Sequence, residues 1–274
     1  MPRKADLKAW LLRLAPRFGC TVHVREVDIA RSSEDDLSGE DIWNKFFTEV
    51  AEGEWDCVFL SLPCNTFSRA RHLRRKSPGP RPIRSRQWPY GFPWASNLNK
   101  ETLKQHNFFI LQCKRMALTA YKAGKFYFWE HPEDLGRVRD TEDSPGSIWQ
   151  WEEIQDLCKK TMAMTWAIYQ CHFGGDSQKP TRFLANISED LPHSAWPSFD
   201  DAGFYSGPLP NSCGHRFHVK KLVGKTNGIW NASPSAAYPS KLCRYLASLM
   251  LSRFERGRHS TTTDRLKWPW APLL

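Results

Sequence analysis

Between Ala5 and Phe18 the apolar residues Leu7, Trp10, Leu11 and Leu14 fall three, four and seven positions apart. This is one face of an amphipathic helix, with Gly19 as its stop. In the next run, TVHVREVDI (21–29), Val22, Val24 and Val27 are interspersed with polar residues, which predicts a strand carrying Asp28 at its C-terminal edge. A helix over 39–52 follows the turn-rich SSEDDLSG, and WDCVFLS (55–61) is a nearly continuous apolar run suited to a strand buried on both faces. The alternation resumes with a helix over 101–123, a strand KFYFWE ending at Glu130, a helix over 147–160, and strands over 166–173 and 182–186. Helix and strand in strict alternation predict an α/β fold with an open, doubly wound, mostly parallel sheet. In such sheets the functional loops leave the C-terminal strand ends, here Asp28, PCNTFS, Glu130 with HPEDLG, and QKPTR. Residues 187–235 lack periodicity and are rich in Pro, Gly and Ser, so they predict a small irregular lobe. A helical stripe returns with Leu242, Leu246, Leu249 and Phe254. The expected division is a core of 1–186 with 236–256, the lobe of 187–235, and a basic tail of 257–274.

Composition narrows the function. With 274 residues, 41% hydrophobic and 25% charged, the chain can close one sizeable core, which excludes a disordered tail. The net charge of +10 points to a polyanionic partner. Arg13 and Arg17 interrupt the N-terminal apolar residues, and no run reaches the roughly 18 uncharged apolar residues of a membrane span. The expectation is a soluble intracellular monomer with no membrane partner, nuclear in a eukaryote and cytoplasmic otherwise. Eight cysteines without a secretory signal read as free thiols. CGHRFH gathers Cys213, His215 and His218, but zinc needs a fourth ligand and the spacing matches no standard pairing, so no metal site is expected.

Three positions carry candidate chemistry. In FLSLPCNTFSRAR an apolar strand runs straight into Pro63 and Cys64. Cys64 is either a small turn residue or a nucleophile at the sheet's functional edge. Glu130 follows the apolar FYFW, where an acid needs a partner or a task. Arg182 opens the strand RFLAN.

In this order the motifs resemble the DNA (cytosine-5) methyltransferases. PCNTFS matches that family's Pro-Cys nucleophile motif. WEHP matches its glutamate motif in Glu130 and Pro132, with His131 at the Asn position. Phe173, Gly174, Gln178, Arg182 and Phe183 fit its late arginine motif, with Pro180 where the first Arg would be. The resemblance implies a Rossmann-like, S-adenosylmethionine-dependent methyltransferase fold. It also implies transfer of a methyl group from S-adenosylmethionine to carbon 5 of cytosine in DNA: Cys64 would add to carbon 6, Glu130 would hydrogen-bond the ring nitrogen and exocyclic amine, and Arg182 would hold the carbonyl oxygen. The base would have to be flipped out of the duplex. For S-adenosylmethionine the expected contacts are Asp28 on the ribose hydroxyls, Glu26 as its alternative, Asp36 near the adenine, and Pro63. The chain has no G-x-G and starts at the helix that would follow the family's Gly-rich turn, so the first strand of the sheet is expected to be missing.

The partner implied is DNA, or RNA, since a tRNA cytosine methyltransferase is built on the same motifs. A non-catalytic nucleic-acid-binding protein of the same fold is the alternative. The segment RARHLRRKSPGPRPIRSR (69–86) has eight Lys or Arg and no acid, and without it the net charge drops to +2. It supplies the expected phosphate contacts Arg69, Arg71, Arg74, Arg75, Lys76, Arg81, Arg84 and Arg86, joined by Asn65, Ser68, Gln178 and Lys179. Trp88, Tyr90, Phe92 and Trp94 either stack on bases or anchor the loop.

Overall fold

Asp6 opens α1 (Leu7–Leu14) by accepting the Ala9 N–H at 2.9 Å. A 3-10 turn (Ala15–Phe18) follows, and Gly19 ends it at φ 65°, the left-handed conformation that glycine adopts without strain. Leu14 and Ala15 bury themselves against Ala247 and Leu251. The computed structural model describes residues 6–29, 31–73, 79–139, 141, 143–220, 222, 224–226, 229–231 and 236–254. It forms two compact units, one of residues 1–25 with 243–274 and one of residues 26–242.

The larger unit is built from α2 (Glu40–Ala51), β1 (Cys57–Ser61), α3 (Asn97–Lys122), β2 (Phe126–Pro132), α4 (Glu152–Thr161), β3 (Met164–Tyr169) and β4 (Pro180–Ala185). Two short ladders follow, β5 (Ser198–Phe199) with β6 (Tyr205–Gly207) and β7 (Lys225–Thr226) with β8 (Ile229–Trp230); the last helix, α5 (Ser240–Leu251), belongs from Cys243 onward to the smaller unit. The main sheet has the order β1-β2-β4-β3. β1 pairs parallel with β2, and β4 is antiparallel to both β2 and β3. Three strands therefore run one way, with a single reversed strand between the second and third.

The fold is α/β as the alternation predicts, but the sheet is mixed rather than mostly parallel. No strand forms over 21–29 among the described residues. Its valines serve two cores: Val22 packs beside Leu14 and Leu251, and Val27 packs into the main cluster. β1 is in consequence an edge strand, and only Leu60 in it is fully buried. The predicted helix at 147–160 divides into a 3-10 turn (Ile148–Gln150) and α4, and α3 begins earlier than predicted because Ser96 caps it by accepting the Asn99 N–H. The tail of 257–274 lies outside the described residues. No helix among those residues is long and apolar enough to cross a membrane.

α2, α3 and α4 cover one face of this sheet. Trp43 and Phe47 of α2, Ile110 and Met116 of α3, and Ile154 and Leu157 of α4 meet Tyr127, Trp129 and Leu184 from the strands. Each such side chain contributes roughly 1.5–3 kcal/mol by leaving water. Ala117 and Ala120, both fully buried, let α3 approach the sheet closely. Strand side chains alternate between faces. With Tyr127 and Trp129 committed to the helices, Phe128 and Glu130 point to the other side.

Candidate active site

β1, β2 and β3 end at the same sheet edge at which the reversed β4 begins. That brings together the segments after Ser61, around Glu130, after Tyr169 and before Pro180. In the parallel register Ser61 stands beside Glu130. Glu130 is 6% exposed. Its Oε2 accepts the Ser61 hydroxyl at 3.0 Å and the Tyr238 hydroxyl at 2.8 Å, and the two hydroxyl oxygens are themselves 2.8 Å apart. The Tyr238 ring stands edge-on to Phe59 at 6.1 Å. Cys64 follows three residues after Ser61, half-buried, at φ −102° and ψ 8°, in the sparsely populated bridge region common at active sites. Its carbonyl accepts the Phe67 N–H at 3.0 Å and starts the 3-10 turn Asn65–Phe67. The Lys179 ammonium lies 5.9 Å from the centre of the Tyr238 ring.

The charges are coupled. Burial pushes the Glu130 carboxyl above its ordinary range, while Lys179 and the two hydroxyl donors draw it back. Burial also raises the Cys64 thiol, the Glu130 charge raises it further, and Lys179 opposes both. Tyr238 is raised well above the ordinary phenol, by burial and then by Glu130, so it stays a hydroxyl and a donor. A proton on Glu130 removes the carboxylate charge that opposes thiolate formation at Cys64.

Arg182 does not join this site. It pairs with His131 across β2 and β4, on the opposite face from Glu130, and it is fully buried. Its Nε lies 2.7 Å from Glu133 Oε2 and its Nη2 donates to Oε1 at 3.0 Å. Its Nη1 donates to Thr165 Oγ1 at 2.9 Å and to the Ala195 carbonyl at 2.7 Å. The guanidinium is consumed by the fold, and the cation at the sheet edge is Lys179, three residues earlier. Gln178, half-buried, precedes it.

Among the described arginines of 69–86, Arg84 is buried, and Arg69, Arg71 and Arg86 are half-buried and tied to neighbouring groups. Arg69 donates to the Leu135 and Arg137 carbonyls, and Arg71 to those of Asn65 and Arg81. Arg84, 1% exposed, donates to Pro89 O, Asn107 Oδ1 and Thr66 Oγ1 and lies 3.9 Å over the Phe67 ring. Arg86 faces Asp134 at 3.7 Å and the Phe199 ring at 4.0 Å. The physical reason is plain: apart from a 3-10 turn (Arg69–His72) the described part of this loop has no helix or strand, which leaves carbonyls that need donors, and arginine forks supply them. Arg81 is exposed, as is Asn65, and Ser68 is half-buried. Arg74, Arg75 and Lys76 lie outside the described residues. Among the aromatics, Tyr90 is an anchor, its hydroxyl on Glu153 and its ring 4.5 Å from Trp151. Trp94, stacked on Phe92 at 5.1 Å, is 68% exposed.

The residues expected to hold S-adenosylmethionine do not assemble into a cradle. Glu26 is ion-paired to Arg31 at 2.6 Å. The Asp28 carbonyl accepts the N–H groups of Arg31 and Ser32 in a turn rather than at a strand end. Asp36 caps its own turn by accepting the Ser38 N–H. Pro63 is exposed beside Cys64. These residues do not fit the cofactor.

Sequence reasoning missed Ser61 and Tyr238. Tyr238 carried no signal, being 108 residues from Glu130, and Ser61 becomes visible only through the strand register. Cys171, which the sequence leaves apart from CGHRFH, joins Cys213, His215 and His218 as the fourth potential ligand. No family model, no curated protein and no solved structure matches the chain.

Proposed function

We propose that the chain is a DNA cytosine-5 methyltransferase-like protein of Rossmann-like fold whose own residues perform addition of a thiolate to carbon 6 of a cytosine. The observation that carries this reading is the placement of Cys64 and Glu130 at neighbouring strand ends of one sheet edge, with Ser61 and Tyr238 both on Oε2 of the carboxyl. That arrangement leaves Oε1 to meet a base. Lys179, in place of Arg182, supplies the positive charge. The residues present do not fit S-adenosylmethionine, so the proposed chemistry ends on the base itself.

The step balances without a cofactor. The Cys64 thiol gives its proton to water, which returns it when the sulfur leaves; the thiolate forms a bond to carbon 6 as the ring nitrogen takes the Glu130 proton, leaving an enamine nucleophilic at carbon 5. Carbon 5 accepts a proton from water and then releases its original one. The carbon–sulfur bond breaks, the ring nitrogen returns its proton to Glu130, and cytosine is restored with a hydrogen from solvent on carbon 5.

The test is release of tritium from DNA carrying [5-3H]cytosine, without added cofactor, with RNA as a second arm. Release from DNA that Cys64→Ser abolishes supports the reading. Release from RNA alone moves the substrate to RNA. No release from either polymer by the folded protein overturns it in favour of a non-catalytic nucleic-acid-binding protein.

A further inference from the structure

Cys171, Cys213, His215 and His218 come from two segments that are distant in sequence, yet one ligand atom from each lies within 4.8 Å of every other. In a tetrahedral zinc site with Zn–S of about 2.3 Å and Zn–N of about 2.0–2.1 Å, ligand atoms stand roughly 3.3–3.8 Å apart. Cys213 Sγ and His218 Nε2 are already at 3.4 Å. We propose that these four side chains form a structural Cys2His2 zinc site that fastens the irregular lobe to the turn between β3 and β4. This site stands independently of the chemistry proposed at Cys64.

Four observations support the assignment. First, the donor set is two thiols and two imidazoles, four ligands with no position left over, which is the composition of a closed structural zinc site rather than a catalytic one. Second, the sulfurs are on the inside, with Cys171 7% and Cys213 9% exposed. They back onto Ala167, Tyr169 and Leu209, while the histidines approach from the solvent side. Third, the ligand loop is braced. Gly214, at φ 78°, makes the left-handed turn that sets Cys213 and His215 side by side, and its N–H donates to Ser212 Oγ. His172 Nε2 lies 2.8 Å from the Cys213 carbonyl, fixing the backbone of one ligand from the segment that carries another.

Fourth, among the described residues 211–220 the loop's apolar anchoring is Cys213 itself. Residues 211–220 form no helix or strand, and the large apolar residues beside the ligands face outward, Phe217 at 81% and Val219 at 83% exposure. A loop with its hydrophobic side chains in water and its cysteines and histidines turned inward gains its order from a metal, since binding energy at such a site is folding energy. The β3–β4 turn carrying Cys171 also carries Lys179, so the metal would fix the approach of that lysine to the sheet edge.

The test uses the full chain purified under reducing conditions without an affinity tag that binds metal. Elemental analysis is expected to find about one zinc per chain, and titration of the chelator-stripped protein with cobalt(II) is expected to give the intense visible bands of a tetrahedral site with a thiolate-to-metal charge-transfer band. Cys213→Ser and His218→Ala should lose the stoichiometric zinc, whereas Cys20→Ser should keep it. Because the cobalt spectrum is read on the unmutated chain, a variant that fails to fold leaves the test intact. A protein that holds no zinc and gives only the weak spectrum of octahedral cobalt overturns the proposal. So does a protein isolated with a Cys171–Cys213 disulfide and no metal.

Discussion

Glu133 and Arg182 form an ion pair through two N···O contacts with both side chains wholly removed from solvent. Breaking such a pair leaves an unpaired buried charge, which costs about 3–5 kcal/mol. Arg182→Leu should therefore lower unfolding free energy by that amount in urea titrations. Glu133→Leu combined with Arg182→Leu should recover most of the loss. An Arg182→Leu protein of undiminished stability would return this arginine to the list of substrate-binding groups.

Tyr238→Phe removes one hydroxyl that stabilises the charged form of Glu130. Loss of a hydrogen bond to a charged group is worth about 1.5–3 kcal/mol, or about one to two pH units, in the upward direction for the carboxyl. If the protonated carboxyl is the working form, exchange at carbon 5 is lost as pH rises through its pKa. The limb should shift to higher pH in Tyr238→Phe. Glu130→Gln, which has no proton to give, should abolish exchange itself. A profile that does not move with Tyr238→Phe would remove the tyrosine from control of Glu130.

Arg84 and Arg81 separate structure from phosphate binding. Burial brings Arg84 down to about 9, with uncharged acceptors around its guanidinium. Arg84→Ala should cost about 2–4 kcal/mol of stability through the three hydrogen bonds and the packing it loses, while leaving the slope of log affinity against log salt unchanged. Arg81→Ala should leave stability alone and reduce that slope by about one. The two variants exchanging these behaviours would refute the division.

Acid should loosen the fold through its buried histidines. Burial lowers His72 and His106 to about 4 and His131 to about 3. A depressed histidine contributes stability that is present above its unfolded value of about 6.5 and lost as pH falls through the folded value. Urea midpoints should thus decline from pH 6.5 towards 4. Glu133, raised to about 7 by burial, acts in the opposite sense, its contribution being lost as pH rises to that value. His131→Leu isolates the histidine part: its acid decline should be shallower than that of the unmutated chain.

The apolar periodicity reveals α2, β1, α3, β2, α4 and β4 to within a few residues because each of these buries one face or stripe in a single core. It fails at 21–29, where Val22 and Val27 belong to different clusters. Local sequence cannot express which cluster a valine will join. Cys64 and Glu130 were legible because an apolar strand running into Pro-Cys, or ending in an acid, is a local signal. The role of Arg182 was not, because which face of β4 it occupies depends on pairing with β2. Within the basic segment the burial of Arg84 was not legible for a related reason: composition counts charges, and it does not show that Pro89, Asn107 and Thr66 will supply acceptors to one of them.

Glu130 is mounted on a strand laddered on both sides, by β1 and by β4, whereas Cys64 rides on a short turn beyond the end of an edge strand. One support is stiff and the other compliant. The carboxyl is thus held from two neighbouring strands and the sulfur by its turn alone, so warming should scatter the position of the thiol before it disturbs the acid.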